Sequence, residues 1–408
     1  MTRTAAQTRF AFASPDEAIR AMTRRLDPVG VERIALSEAS GRVLAEPIAA
    51  DRPSPACDVS AMDGYAVRLA DLDKRQLPVA GEVAIGQPPP EMPSGAALRI
   101  FTGGPVPAGC DAVIPREQVE EQPASIRLPA DFEVKPGQHI RRRGENGRAG
   151  ETIVESGTPV STTVAGALAA CGAAEPRVHR RVRLAAIVTG NEVHDVTDAV
   201  EPWQLRDSNG PVLLAMFAGR PWVDWRGVGH AVDDSDQLRK TIAAALADSD
   251  AVLLTGGVSM GDYDFVPATL AELGCDIIFH KLPIRPGKPV LGAIGPQGQA
   301  VFGLPGNPVS VMTTARRLAL PVLRHRAGFL QADLPAVSVT LINPDHKPLA
   351  LHWSRPVRLV AHGQAELIAT RGSGDIISAA RSDGFVEIPA DQTGPGPWPF
   401  YLWGATNE

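Results

Sequence analysis

The stretch that decides the fold runs from residue 251 to 273 and reads AVLLTGGVSMGDYDFVPATLAEL. It opens on a buried-type strand, Ala251–Thr255, breaks at two adjacent glycines, and resumes with helical spacing over Phe265–Leu273. Strand, glycine-rich turn and helix in that order form the repeating unit of a parallel sheet covered by helices on both faces. Working outward, the same alternation recurs. Strands are predicted at Leu184–Thr189, Asp276–Phe279, Val290–Ile294 and Ala300–Phe302. Helices are predicted at Pro211–Ala218, at Ser235–Ala247 with Leu238, Ile242 and Leu246 on one face, and from Pro308 to about Arg324. The segment from Val182 to about Leu323 therefore reads as an α/β domain with a mostly parallel sheet, whose ligands bind beyond the carboxyl ends of the strands.

The flanks read differently. Ser14 as N-cap, Pro15, Asp16 and Glu17 start a helix that continues through Ile19, Met22 and Leu26. From Asp51 to about Leu128, short β-like runs between turn clusters, including the QPPPEMPSG stretch, predict a small β domain. Residues 131–176 hold a basic stretch, HIRRRGENGRAGE, and a short helix ending at Gly172. After about Gln331 the runs AVSVTLIN, RPVRLVAH and DGFVEIPA predict a second small β domain.

A chain of 408 residues suggests two to four domains at roughly 150 residues each. Its 39 glycines and 37 prolines exceed average usage without a three-residue period, which points to many tight turns. A net charge of -6 supplies no global field for nucleic acid or an anionic membrane, so any anion site is local. Cys57, Cys110, Cys171 and Cys275 form no C-x-x-C pair, which excludes a zinc knuckle and fits a reducing cytoplasm. No secretory signal and no apolar run of roughly 18 residues is present, so the expectation is a cytoplasmic protein that does not enter the membrane.

Three loops fall where an α/β sheet binds its ligands. In the first, Thr255, Gly256, Gly257 and Ser259 offer close-approaching backbone and amides to a phosphate, while Asp262 and Asp264 are hard oxygen ligands suited to magnesium. A plain connection with Asp264 as helix N-cap is the structural alternative. In the second, Pro305, Gly306, Asn307, Pro308 and Ser310 make a stiff, curved strand-to-helix turn that suits a small anion or serves as scaffold alone. The third, KLPIRPGKP, sets Lys281, Arg285 and Lys288 on a proline-stiffened loop and takes two of the six lysines in the chain. Charge runs are often solvated faces, yet beside two glycine-rich loops these cations form a local anion attractor. Glu192 and Asp233 are acidic positions at the same expected edge, able to join a magnesium site or merely to cap.

Seven strings, SAMDGYAV, FTGGPVPAGCDAV, IRRRGEN, VTGNE, TGGVSMGDYD, KLPIRPGKP and GLPGNPVS, occur in an order that resembles the MoeA family, the molybdopterin molybdenumtransferases. The resemblance implies an elongated dimerisation domain over 1–50 and 130–178, a small β domain inserted at 51–129, a three-layer α/β molybdopterin-binding domain at 179–327 and a C-terminal β barrel at 328–408. It implies that adenylylated molybdopterin (molybdopterin-AMP) and molybdate are converted, with Mg2+, to molybdenum cofactor and AMP. The implied site lies between the two subunits of a homodimer, and molybdopterin adenylyltransferase and other cofactor-pathway proteins are possible partners. Carried over by position, Asp63, Thr102, Glu192, Asp233, Lys281 and Lys288 are catalytic candidates. Arg141, Arg142 and Arg143 are candidate anion contacts, and Glu192, Asp262 and Asp264 are candidate metal ligands. This chain departs from the family in having Asn146 and Asn191 where Asp is usual, Arg285 for Lys, and His280 for an aromatic. Two other readings follow: a non-catalytic carrier or scaffold for the same cofactor, and an adenylyltransferase acting one step earlier, which the match along the whole chain opposes.

Overall fold

Two spatial units divide the chain, one comprising residues Met1–Glu46, Ser156–Ala165 and Glu175–Glu408, the other Pro47–Glu155 and Gly166–Ala174. The computed structural model describes residues 10–258, 265–331 and 337–404.

In the first unit a six-stranded sheet runs in the order Val223–Ala231, Val182–Thr189, Ala251–Thr255, Ala300–Leu304, Leu291–Ile294, Asp276–His280. The first four strands are mutually parallel. The other two pair antiparallel, so the sheet is mixed rather than wholly of one sense. The cause is local: Leu291–Ile294 and Ala300–Leu304 are joined by a turn in which the Gly295 amide donates to the Gln299 carbonyl at 2.8 Å. A connection that short reverses the chain and leaves no room for a crossover helix. Because two antiparallel steps restore direction, Asp276–His280 still ends on the edge where the parallel strands end.

Continuous apolar runs are explained by burial on both faces. All five residues of Ala251–Thr255 are buried, and they alternate between layers. Ala251 and Leu253 join Leu213, Phe217 and Leu320, while Val252 and Leu254 join Leu238, Ile242 and Leu270. The N-terminal helix Pro15–Thr23 starts as its sequence predicts, with the Ser14 hydroxyl accepting from the Glu17 amide at 3.3 Å, and buries Ala18, Ile19 and Met22. The helix expected from Pro308 to Arg324 is instead two α-helical pieces, Pro308–Thr314 and Leu320–Arg326, separated by a π-helical turn over Ala315–Ala319. Pro321 has no N–H and its ring would meet the carbonyl four residues back, so the ladder widens there.

At the opposite edge of the sheet, Asp250 is buried at 5% exposure and accepts from both Arg180 guanidinium nitrogens at 2.6 and 2.7 Å and from the Arg183 amide at 2.9 Å. Burial alone would raise its pKa, but the Arg180 and Arg183 donors outweigh it and hold the carboxyl below its ordinary range. A depressed folded-state pKa stabilises above the unfolded value and is lost as pH falls through the folded one. Stability should therefore drop below about pH 4. Asp250→Asn is expected to flatten that acid limb and to cost about 2 kcal/mol at neutral pH, discounted because both arginines are partly solvated. Urea unfolding at several pH values measures both.

The C-terminal strands Val337–Leu341, His352–Ala361, Gln364–Leu367, Gly384–Ile388 and Trp398–Leu402 close on themselves into a five-stranded barrel, because His352–Ala361 pairs with Gln364–Leu367 on one side and Gly384–Ile388 on the other. Val339, Leu341, Val357, Val386, Ile388 and Phe400 fill it. A sixth short strand, Ile284–Arg285, is lent by the basic loop and lies parallel to His352–Trp353.

The second unit holds a six-stranded sheet in the order Ala112–Pro115, Gly64–Val67, Ala97–Ile100, Gln76–Glu82, Ser125–Arg127, Glu120–Gln122. Its core includes Tyr65, Val67, Leu77, Ile114 and Ile126. Gly64 is required there: a Cβ would stand 2.0 Å from the Ile114 carbonyl oxygen. The helix expected to end at Gly172 spans Thr162–Ala170, and Gly172 closes it at φ +74°.

Candidate functional site

Along the carboxyl edge of the mixed sheet lies a cleft of about 680 Å³, lined among others by Thr189, Glu192, Asp233, Gly256, Pro305 and Asn307. Its floor is backbone. Gly256 and Gly257 take φ of +90° and +62°, and the Gly256 amide donates to the Leu304 carbonyl at 3.0 Å, tying the two central strands where they end. The buried Thr189 hydroxyl donates to the Thr255 carbonyl at 3.0 Å.

Glu192 and Asp233 face this cleft from two neighbouring loops. The Glu192 carboxylate folds back over Gly190, where a Cβ would stand 2.7 Å from its Oε2. Asn191 and Asp233 bond reciprocally: the Asn191 amide donates to Asp233 Oδ2 at 3.2 Å, and the Asp233 amide donates to Asn191 Oδ1 at 3.0 Å. Asn191 thus serves as an acceptor that an aspartate would serve equally, which preserves the loop geometry while lowering the negative charge. Asn146 behaves alike, its Oδ1 accepting from Arg141 at 2.6 Å.

Asp207 and Asn209 line the cleft without having been singled out by sequence. Asp207 Oδ1 caps the Asn209–Phe217 helix by accepting from the Asn209 and Gly210 amides at 2.8 and 2.9 Å. Asn209 Nδ2 donates to the Gly306 carbonyl at 2.9 Å and so fixes the second loop. The Asp207-Ser208-Asn209 triplet ahead of an apolar helical run was the available signal.

A second lobe, about 570 Å³, shares Pro289, Pro305 and Asn307 with the first. It is basic. Arg285, Lys288 and Arg355 line it, with Ser310 and Ser373. Arg355 is ion-paired with Asp345, and burial together with the charge of Arg285 pulls its pKa down to about 10. Asn307 Nδ2 donates to the Ser373 hydroxyl at 3.0 Å, and the Val309 amide to the Ser373 carbonyl at 3.0 Å, which anchors the wall between the lobes.

Lys281 does not line either lobe; it sits half-buried at φ +77°. His280 Nε2 lies 2.8 Å from the Val258 carbonyl, a contact no hydrocarbon ring could make. Gly257, Pro308, Gly306 and Thr255 stay at the sheet edge, the first three in the cleft lining and Thr255 buried beneath it. Ser259, Asp262 and Asp264 lie outside the described residues. Among the described residues no group of three His, Cys, Asp or Glu forms a metal site; Glu192, Asp233 and the helix-capping Asp207 are the carboxylates that the described part of the cleft lining offers.

In the other unit Asp63 Oδ1 accepts from the Thr102 amide at 2.7 Å and its hydroxyl at 2.8 Å. The amide first and then the hydroxyl keep this exposed carboxyl below its ordinary pKa. Arg141 is held by Glu145 at 3.3 Å and Arg142 by Asp58 at 2.6 Å, so neither guanidinium is uncommitted. Arg143 is exposed and donates its backbone amide to Asp58 at 2.8 Å.

An acidic, glycine-floored cleft joins a basic lobe on one sheet edge, an arrangement chemically able to accept a phosphate-bearing small molecule beside a second anion. Residues 13–172 match the MoeA N-terminal region (domain I and II), and residues 185–325 match a probable molybdopterin binding domain. The molybdopterin molybdenumtransferase of Synechococcus elongatus is 35% identical over 90% of this chain and 92% of its own length. The chain belongs to the molybdopterin molybdenumtransferase (MoeA) family. The Haemophilus influenzae molybdopterin molybdenumtransferase is 37% identical over 78% of this chain and 79% of its own. The crystal structure of the Pyrococcus horikoshii molybdopterin biosynthesis MoeA protein matches with a TM-score of 0.78 at 28% identity, covering 96% of this chain and 99% of that one. No helix among the described residues is long and apolar enough to cross a membrane.

Proposed function

We propose that this protein is a transferase of molybdenum cofactor biosynthesis, inserting molybdenum from molybdate into adenylylated molybdopterin with release of AMP. The observation that carries this reading is the pair of lobes sharing the wall of Pro289, Pro305 and Asn307. Two unlike anions must be held side by side, and adjoining lobes of different charge do that.

In this reading the pyrophosphate lies in the first lobe, over the Gly256-Gly257 backbone. Magnesium there would be held by Glu192 and Asp233, with Asp262 and Asp264 as further ligands, and would neutralise charge on the phosphates. Molybdate lies in the second lobe against Arg285, Lys288 and Arg355. The rigid proline wall keeps the two dithiolene sulfurs facing the oxyanion, a positioning task. Lys281, which lines neither lobe, begins the loop that carries Arg285 and Lys288 and contributes through that loop's placement. The reading includes the four-domain division and a homodimer in which Asp63, Thr102 and Arg143 of a second copy complete the site. It also includes a cytoplasmic location, which the four free cysteines support, and supply of the adenylylated substrate by an adenylyltransferase.

The test is direct. Purified protein with adenylylated molybdopterin, molybdate and magnesium should release AMP and leave molybdenum on the pterin. Neither product, beside an active control enzyme, would overturn the reading. The neutral Asn191 in the acidic loop favours one second reading, a carrier of the same cofactor; tight cofactor binding with no AMP release would select it.

A further inference from the structure

Every cation of the basic lobe rests on an aromatic face. The Arg285 guanidinium stands 5.4 Å from the Trp353 ring centre, that of Arg355 4.2 Å from the same ring, and Lys288 Nζ 5.4 Å from the ring of Phe10. The strand register produces the first two contacts. Arg285 pairs directly with Trp353 in the parallel ladder, and Arg355, two residues further along that strand, points to the same face. Trp353 packs against the barrel core, which fixes its ring. Phe12 meets Phe279 edge-on at 6.3 Å and holds the segment that carries Phe10 against the α/β sheet.

Aromatic support has a chemical consequence. A carboxylate that holds a cation neutralises it and occupies its donors, whereas a ring face does neither. Among the described residues Arg285 and Lys288 have no ion-pair partner, and only Arg355 is so held, by Asp345. Two guanidinia on one indole repel each other, and a dianion between them relieves that repulsion.

We propose that Trp353 and Phe10 are positioning residues for oxyanion capture: their ring faces hold Arg285 and Lys288 in place and leave the N–H donors of these two cations directed at molybdate, while Arg355, paired with Asp345, braces the indole. This rests on the reading of the second lobe given above. The arrangement also accounts for arginine at 285, since a planar guanidinium stacks on an indole where an ammonium would only approach it.

Calorimetric titration of the full chain with molybdate, with inorganic phosphate as a second titrant, tests the proposal alongside AMP-release kinetics. Trp353→Leu should weaken molybdate binding about tenfold and raise the KM for molybdate in step, with kcat at saturating molybdate within about twofold of wild type. Trp353→Phe should restore most of the loss. Phe10→Leu, which leaves the barrel untouched, should weaken binding by about threefold to fivefold. A leucine variant that binds molybdate like wild type overturns the proposal, as does an equal loss with phenylalanine and leucine at 353. Sensitivity of phosphate binding alone would also overturn it. Wild type that binds molybdate but releases no AMP leaves this inference standing and removes the catalytic reading instead.

Discussion

Alanine at Gly256 is expected to lower the rate of AMP release about 100-fold or more while molybdate binding in the second lobe stays intact. The added Cβ would stand 2.6 Å from the Thr189 hydroxyl and 3.0 Å from the Thr189 carbonyl oxygen, neither of which has room to yield. Thr189 is buried and already bonded to Thr255, and Gly256 is itself bonded to Leu304. Relief therefore comes from parting the ends of the two strands that form the cleft floor. The φ of +90° adds a backbone penalty of about 1–2 kcal/mol for any residue with a Cβ. A displacement near 1 Å in a positioning site costs on the order of 100-fold in rate. Gly257→Ala, whose Cβ would crowd a Val266 methyl at 3.0 Å and meet the Thr189 hydroxyl at an ordinary 3.5 Å, should be milder. Single-turnover AMP release compares them, and a Gly256→Ala rate within threefold of wild type would show that the floor does not position the phosphates.

The largest stability effect should come from Glu387→Ala, at about 3–5 kcal/mol. Arg317 and Glu387 are buried to 7% and 9% side-chain exposure and joined at 2.8 and 3.2 Å, with Asp16 of the N-terminal helix on the same guanidinium. Burial pushes the Glu387 carboxyl up, and His352 and Arg317 more than reverse it. Removing the carboxylate leaves Arg317 charged in a dry interior with a half-exposed aspartate, Asp16, for company, which sets the loss toward the lower end of that range. Replacing both partners together, Arg317→Met with Glu387→Leu, should recover most of it, because neither desolvation cost then remains. Urea unfolding of the two variants decides the matter. A double variant as unstable as the single would mean that packing around Tyr401, not charge, holds the junction.

Much of the cleft was legible in the chain because its floor is contiguous text. The paired glycines, the LPGNP turn and the cation-bearing loop each follow a strand, so one rule about strand ends places all three at the same edge. The opposite wall was not legible. Trp353, Arg355 and Ser373 lie on strands and turns of the barrel, and nothing near them in sequence says which loop they will meet. Lys281 shows a different limit: motif membership supplies a residue type and a charge, but a left-handed backbone at that position decides where the side chain goes. The hairpin in the sheet was readable in principle, since five residues between two strands cannot hold a crossover helix. Pro321 likewise announced the break in the long helix.

The two-residue strand Ile284–Arg285, lent by the basic loop to the barrel, makes those two parts of the chain inseparable as inheritance. A barrel grafted from a relative that carries lysine at the position of Arg285 would arrive without having been matched to a guanidinium there. Substitutions at 285, 353 and 355 should therefore be exchangeable only as a set, and a hybrid that swaps the barrel alone should fold yet capture molybdate poorly until residue 285 is changed with it.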